Sequence, residues 1–477
     1  MREYNAHFLT VLGTGSYNDC VYEWGEGKEE RLETKFAQMA TLKKITESTS
    51  QNIKITVFLT KDAREKNWEE FKKELEKTYP NSEIVDASIK EGRNLTELNE
   101  IFAVMYDCIS ENEVIYFDFT HGLRNIPIQA LTVANHARVE KNVEIGGLYY
   151  GAFELGVDMV DEDGNKIKIG VNESTRKDIY LRRVPLMDIS FCDSILHWTS
   201  AAESFITSGS SNLISKTFEE ESKKEYKEDK NVEAVVSDLY DLTNCLETSR
   251  GKYNEAYKNR SIRKAYEVFK DDFDKMKQAT ESGSDKQVLI RLFAKIEKEL
   301  AGFENQLYVG KEQKVLKDTS IGLAAVKWAI HKNLTQQGYT ALQETIITYV
   351  GERYNCEYDR HYLRENIKKL LVAMGKTNSK EEAWNYYGNK NSKSKKLHTV
   401  MKEIPKEVAD CFEELREKRN SLNHFGYQNG EGDKIPSYND LQSNFKRIYN
   451  HFLEVVALDC IGKNEHGEKV DINSWKE

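Results

Sequence analysis

Near its C-terminus the chain reads Arg419-Asn420-Ser421-Leu422-Asn423-His424. A guanidinium can hold a phosphate and offset the charge that builds on it, and an imidazole can move a proton near neutral pH. RNA cleavage needs little more, because the 2′-hydroxyl beside the scissile phosphate is itself the nucleophile. So short a string gains meaning only from its position. Residues 406 to 425 read as a helix: Val408, Cys411, Phe412, Leu415 and Leu422 recur at helical spacing, and Gly426 follows as a stop. Arg419 falls on this apolar stripe, where a guanidinium without an anionic partner is costly. An internal salt bridge, an interface or a bound phosphate would satisfy it. Residues five apart stand roughly 140° apart on a helix, so Arg419 and His424 would flank a cleft, whereas Asn420 and His424 share a face. In the last turn, His424 is favoured as imidazolium by the helix dipole.

A second constellation, Asp118-Phe119-Thr120-His121-Gly122-Leu123-Arg124-Asn125, follows the apolar run Val114 to Phe119 and precedes Ile126-Pro127. Proline suits the first turn of a helix. Thr120, His121, Arg124 and Asn125 thus bring hydroxyl, imidazole, guanidinium and amide to a helix N-terminus, chemistry suited to phosphates and adenine edges. The plainer role for Asp118 and Thr120 is to cap that helix. A third segment, Gly13-Thr14-Gly15-Ser16-Tyr17, ends the apolar run Phe8 to Leu12. Asn18 stands where a dinucleotide fingerprint has its third glycine, which argues against NAD.

These segments need elements to position them. Apolar runs predict strands at Phe8 to Leu12, Ile53 to Leu59, Glu83 to Val85, Val114 to Phe119 and Val143 to Tyr150, with helices at Asp62 to Tyr79, Leu95 to Ile109 and from Ile126. This alternation predicts a doubly wound, Rossmann-like parallel sheet with helices on both faces. Ligands bind such sheets beyond the C-terminal strand ends, so Gly13 to Tyr17 and Thr120 to Asn125 should meet if their strands are neighbours. From about Leu181, starting at Pro185-Leu186-Met187-Asp188, only helices are expected. Residues 217 to 306 mix Lys and Glu with Val235, Leu239, Leu242 and Leu246 at helical spacing, as solvated amphipathic helices do. An all-helical block from Gly310 to Gly462 closes with a helix opened by Ser437 and Asp440, able to pack on the Arg419 helix. The reading is α/β plus all-α: residues 1–180, a helical connecting region 181–310, and a helical domain 311–477.

With 477 residues, two or three domains are expected; 39% hydrophobic and 31% charged residues with 5 Pro indicate a helix-rich globular chain. The seven cysteines are scattered and form no C-x-x-C pair, which points to reduced thiols in a cytoplasmic protein and against zinc. No metal is expected. No apolar stretch reaches bilayer-spanning length, so neither export nor membrane insertion is expected. A net charge of −10 excludes broad non-specific DNA coating. A local nucleic-acid site is expected at Asn385 to His398, where Tyr386 and Tyr387 interleave with Lys390, Lys393, Lys395 and Lys396, unless this is a solvated loop.

Together the two motifs make the chain resemble the CRISPR-associated proteins that join a CARF sensor domain to a HEPN ribonuclease domain, within the subgroup marked by a D-x-T-H-G motif. That motif stands here as Asp118 to Gly122, and the HEPN R-x(4–6)-H motif as Arg419 to His424, with Asn420 in the usual second place. Residues 217 to 306 carry no motif of this family. The resemblance implies an ancillary effector of type III CRISPR antiviral defence, with a CARF sensor at 1–180 and a HEPN domain at 311–477. A cyclic oligoadenylate, cyclic tetra-adenylate favoured over cyclic hexa-adenylate, would bind the paired sensors of a homodimer or higher oligomer and activate metal-independent cleavage of single-stranded RNA. Gly13, Thr14, Gly15, Ser16 and Tyr17 with Thr120, His121, Gly122, Arg124 and Asn125 would line the messenger site. Arg419, Asn420 and His424 would carry catalysis, leaving a 2′,3′-cyclic phosphate. Two other readings stand beside this one: a non-catalytic, nucleotide-sensing regulator, and a sensor that also cleaves its cyclic ligand.

Overall fold

The computed structural model describes residues 6–25, 27, 30–49, 53–122, 124–172, 175–222, 229–251, 261–280, 286–311, 313–388, 395–423, 436–464 and 466–476. The chain divides into two compact units, residues 1–196 and 197–477.

Unit 1 is an α/β sheet domain. β1 (Ala6–Leu12) is followed by two short strands, β2 (Cys20–Glu23) and β3 (Arg31–Thr34), and by α1 (Ala37–Ser48). Then come β4 (Lys54–Leu59), α2 (Lys61–Ala63), α3 (Glu69–Thr78), β5 (Ile84–Ser88), α4 (Leu95–Asp107), β6 (Val114–Asp118), α5 (Ile126–Glu140) and β7 (Glu144–Gly151). Beyond them lie β8 (Val157–Asp158), a hairpin of β9 (Lys168–Val171) and β10 (Asp178–Tyr180), and β11 (Arg182–Asp188), from which the chain enters α6 (Phe191–Ser208). The sheet order is β3-β2-β11-β7-β6-β1-β4-β5. The five strands read from apolar runs are all present, and β5-β4-β1-β6-β7 are mutually parallel.

Alternation along β1 shows why those runs are continuous. Phe8 and Leu12 join the core with α1 and α3, while Leu9 and Val11 join the core with α4 and α5. A strand covered on both faces has no solvent side to mark with polar residues.

Residues 182–188, read as the onset of a helical region, form β11 instead. Arg182–Pro185 pair with β2, and Leu186–Asp188 pair antiparallel with β7. Pro185 therefore sits where the strand passes from one neighbour to the other, a place that tolerates a missing amide hydrogen.

Unit 2 is mainly helical and has two apolar cores. The first takes the inner faces of α6, α7 (Asn212–Glu221), α8 (Lys230–Glu247), α9 (Ile262–Ala279) and α10 (Lys286–Leu300). Val235, Leu239, Leu242 and Leu246 are buried there, as their spacing predicts. Next come β12 (Gln306–Val309), β13 (Lys314–Val315), α11 (Lys317–His331) and α12 (Thr335–Arg353). They are followed by α13 (His361–Gly375), α14 (Lys380–Gly388), α15 (Lys395–Glu403), α16 (Lys406–Asn423), α17 (Tyr438–Ala457), β14 (Cys460–Lys463) and β15 (Lys469–Val470). The second core runs through these elements, and α11 serves both cores: Ile321, Ala325 and Trp328 face one, Leu323, Val326 and Ile330 the other.

The block read as wholly helical is closed by a small sheet. β12 pairs antiparallel with β14, with β13 and β15 outside them. Ser437 and Asp440 form the expected capping box on α17. The helix packs with α16 in the second core, where Cys411 Sγ lies 3.4 Å from His451 Nδ1. Among the described residues no disulfide joins any of the seven cysteines.

Tyr339 of α12 stacks on Phe445 of α17 at 4.9 Å, and both are buried. Phe445→Ala should cost about 3–5 kcal/mol, read as an earlier urea unfolding transition of the full chain; an unchanged transition would show that this contact does not hold α12 in place.

Candidate functional site

β1 and β6 are neighbours, with Thr10 in register with Asp118, so the segments following them meet at one end of the sheet. After β1 the Gly13 amide donates to Tyr17 Oη at 2.8 Å. A Cβ on Gly13 would stand 2.8 Å from that hydroxyl and 3.4 Å from His121 Cβ, so glycine lets the tyrosine fold back. Asn67 Nδ2 pins the loop by donating to the carbonyls of Gly13 (2.9 Å) and Gly15 (3.0 Å). After β6, Asp118 is fully buried and accepts from the Thr120 amide at 2.9 Å and from the Thr41 hydroxyl. Burial raises its pKa, against the pull of these donors. Thr120 Oγ1 accepts from the Gly151 amide at 2.8 Å, tying the turn to the end of β7. Gly122 has φ +125°, a backbone that side chains disfavour.

Between these loops lies a cleft of about 520 Å³. Gly13, Thr14, Gly15, Tyr17, Thr120, His121 and Gly122 line it. Ser16 lines an adjoining cavity with Tyr17, Thr120 and His121. Arg124 is exposed, and Asn125 is the N-cap residue of α5; neither lines the cleft. Thr60, Asp62, Glu91 and Arg93 also line the cleft, contributed by the segments after β4 and β5. Sequence reasoning missed these four. The rule about C-terminal strand ends, applied to the second and third strands as well, would have found them.

His121 gives the cleft its least satisfied group. Its ring lies 4.4 Å from that of Tyr17, and its Nε2 is buried with no hydrogen-bond partner among the described residues. Burial alone lowers its pKa to about 4, so the imidazole is neutral at pH 7. A buried nitrogen of this kind is satisfied when a ligand supplies the missing hydrogen bond.

In unit 2, Arg419 is half-buried on α16 and Asn420 beside it is half-buried too; His424 lies outside the described residues. Arg419 Nε donates to Thr340 Oγ1 of α12 at 3.4 Å, and it forms no ion pair among the described residues. Nearby arginines differ. Arg416 is held bidentately by Glu413 at 2.7 Å, and Arg447 pairs with Glu414. The internal salt bridge considered for Arg419 is therefore absent among the described residues.

The Tyr and Lys segment needs correcting. Tyr387 is buried in the second core, and Trp384 stacks on Tyr387 (5.4 Å) and on His398 (4.5 Å). Tyr387 cannot stack on a base, because its ring is already core; Lys390 and Lys393 lie outside the described residues. Among the described residues no helix is long and apolar enough to cross a membrane.

No protein-family model matches the chain. Over 391 residues it is 22% identical to the CRISPR-associated protein MJ1674 of Methanocaldococcus jannaschii. The chain is distantly related to a CRISPR-associated protein. The alignment covers 80% of this chain and 49% of the relative, so the chain spans about half of that protein's length.

The lowered pKa of His121 makes a signed prediction. As pH falls below 6.5 the unfolded chain takes up this proton and the folded one does not, so His121 lowers stability progressively from pH 6.5 to about 4 and has no such effect above. NMR of the imidazole should show a midpoint near 4; a midpoint at the ordinary value would contradict a buried, neutral ring.

Proposed function

We propose that the chain is a cyclic oligoadenylate-activated, metal-independent endoribonuclease that cuts single-stranded RNA in type III CRISPR defence. One observation carries the proposal: the glycine loop and the D-x-T-H-G turn form a single cleft at the ends of β1 and β6. The distant CRISPR-associated relative supports a CRISPR-related role.

In the cleft, the backbone amides of Thr14 and Gly15 and the Thr14 hydroxyl are suited to adenylate phosphates, and neutral His121 offers its buried Nε2. Activation needs a two-state element that the ligand biases. Within unit 1, α5 begins with Ile126, which lines the cleft, and near its end Arg138 pairs with buried Asp193.

For RNA, Arg419 holds the scissile phosphate, a role supported by its lack of a carboxylate partner among the described residues. The substrate's 2′-hydroxyl gives up its proton to solvent as its oxygen attacks phosphorus, and the P–O5′ bond breaks. His424 orients or protonates the departing 5′-oxygen, and Asn420 positions His424 or the phosphate. The products are a 2′,3′-cyclic phosphate and a 5′-hydroxyl. Two copies of the chain would bring both sets of these residues to one composite cleft.

A second reading has its own observation. In the tautomer with its proton on Nδ1, neutral His121 would accept at Nε2 the proton of a messenger 2′-hydroxyl, whose oxygen would attack the adjacent phosphorus and displace the 5′-oxygen, so the cleft would also open its ligand.

The test is cleavage of a fluorescent single-stranded RNA in EDTA with cyclic tetra-adenylate, cyclic hexa-adenylate or neither. One ring should activate, and His424→Ala or Arg419→Ala should reduce the rate by on the order of 10²–10⁴. Inhibition by EDTA that added Mg²⁺ reverses would contradict the mechanism; no cleavage under any condition would favour a binding-only regulator.

A further inference from the structure

Beside the cleft, across the Tyr17–His121 ring pair, lies a second cavity of about 260 Å³. It shares Tyr17, Thr120 and His121 with the cleft and adds Tyr22, Tyr150, Phe153 and Glu154. Backbone forms part of its wall: a Cβ on Gly151 would come within 3.1 Å of both Thr120 and Tyr22.

Two features give this cavity its chemistry. Phe153 is 44% exposed, and the Arg182 guanidinium lies over its ring at 4.5 Å, so the ring is braced while much of it stays open. An open aromatic surface beside a nucleotide cleft suits a stacked base. At the rim, Tyr150 Oη donates to Glu154 Oε2 at 2.7 Å. This bond orients the carboxylate and is the largest influence holding its pKa below the ordinary range, so Glu154 stays ionised and only accepts hydrogen bonds.

We propose that this cavity is an adenine pocket, in which a base stacks on Phe153 and directs its exocyclic amine to Glu154. The proposal rests on the cyclic oligoadenylate reading of the adjoining cleft and adds how one base of the ring is recognised. Adenine carries an amine donor where guanine and hypoxanthine carry a carbonyl acceptor. An acceptor-only carboxylate takes the amine and repels the carbonyl. The shared wall of Tyr17 and His121 lets one ligand place phosphates in the cleft and a base in the pocket.

The experiment is isothermal titration of the full chain with cyclic tetra-adenylate, cyclic hexa-adenylate, and each ring rebuilt with hypoxanthine in place of adenine. Wild type should prefer the adenine ring by on the order of tenfold or more. Glu154→Gln should bind the adenine ring and lose that preference, because a carboxamide can donate as well as accept. Phe153→Ala should weaken binding of the adenine ring by on the order of tenfold. Equal affinity of wild type for the two kinds of ring, or a preference that survives in Glu154→Gln, overturns the pocket while leaving the messenger reading standing. If wild type binds no adenine ring at all, the messenger reading falls and the pocket with it.

Discussion

The architecture of unit 1 turns on a buried carboxylate. Asp118 closes β6 inside the protein, where an ion without partners would be very costly, so its surroundings must supply donors. They come from different parts of the chain: the Thr41 hydroxyl of α1 and the Thr120 amide of the following turn, while Thr10 of β1 reaches the Asp118 carbonyl at 3.5 Å. Satisfying this residue aligns β1, β6 and α1 and sets the turn that presents His121. The first residue of the D-x-T-H-G motif is thus architectural, and its histidine faces the cleft.

Cost of another kind shapes the helical unit. α16 buries Val408, Cys411, Phe412 and Leu415, and the same stripe carries Arg419 towards α12. The other arginine of its last turns, Arg416, is neutralised by Glu413, whereas among the described residues Arg419 meets only a hydroxyl. A half-buried cation held this loosely adds little to stability and keeps its charge available to an anion. Gly338 allows the approach of α12 to α17, since a Cβ there would collide with the Phe445 ring. The neighbouring Thr340 is thereby positioned for Arg419.

Much of this was legible in the sequence, and what was missed has physical reasons. Strands buried on both faces wrote themselves as apolar runs, and Ser437 with Asp440 announced the start of α17. β2 and β3, four residues each, were too short for a periodic signal. β11 was hidden by Arg182 and Arg183, which interrupt an apolar run, and by Pro185, which a strand tolerates here because it changes partner. The glycine loop and Thr120 to Gly122 were found because each follows a strand, yet Thr60, Asp62, Glu91 and Arg93 obey the same rule and went unread. Tyr387 shows the reverse error. An aromatic among lysines resembles a stacking platform until packing assigns it to the core.

The central claim is that Arg419 and His424 cleave RNA through its own 2′-hydroxyl under control of the cleft. Mass spectrometry of the RNA ends formed in EDTA after cyclic oligoadenylate is added tests it most directly. The account predicts fragments ending in 2′,3′-cyclic phosphate with matching 5′-hydroxyls, dependent on the messenger; fragments ending in 3′-hydroxyl with 5′-phosphate would contradict it.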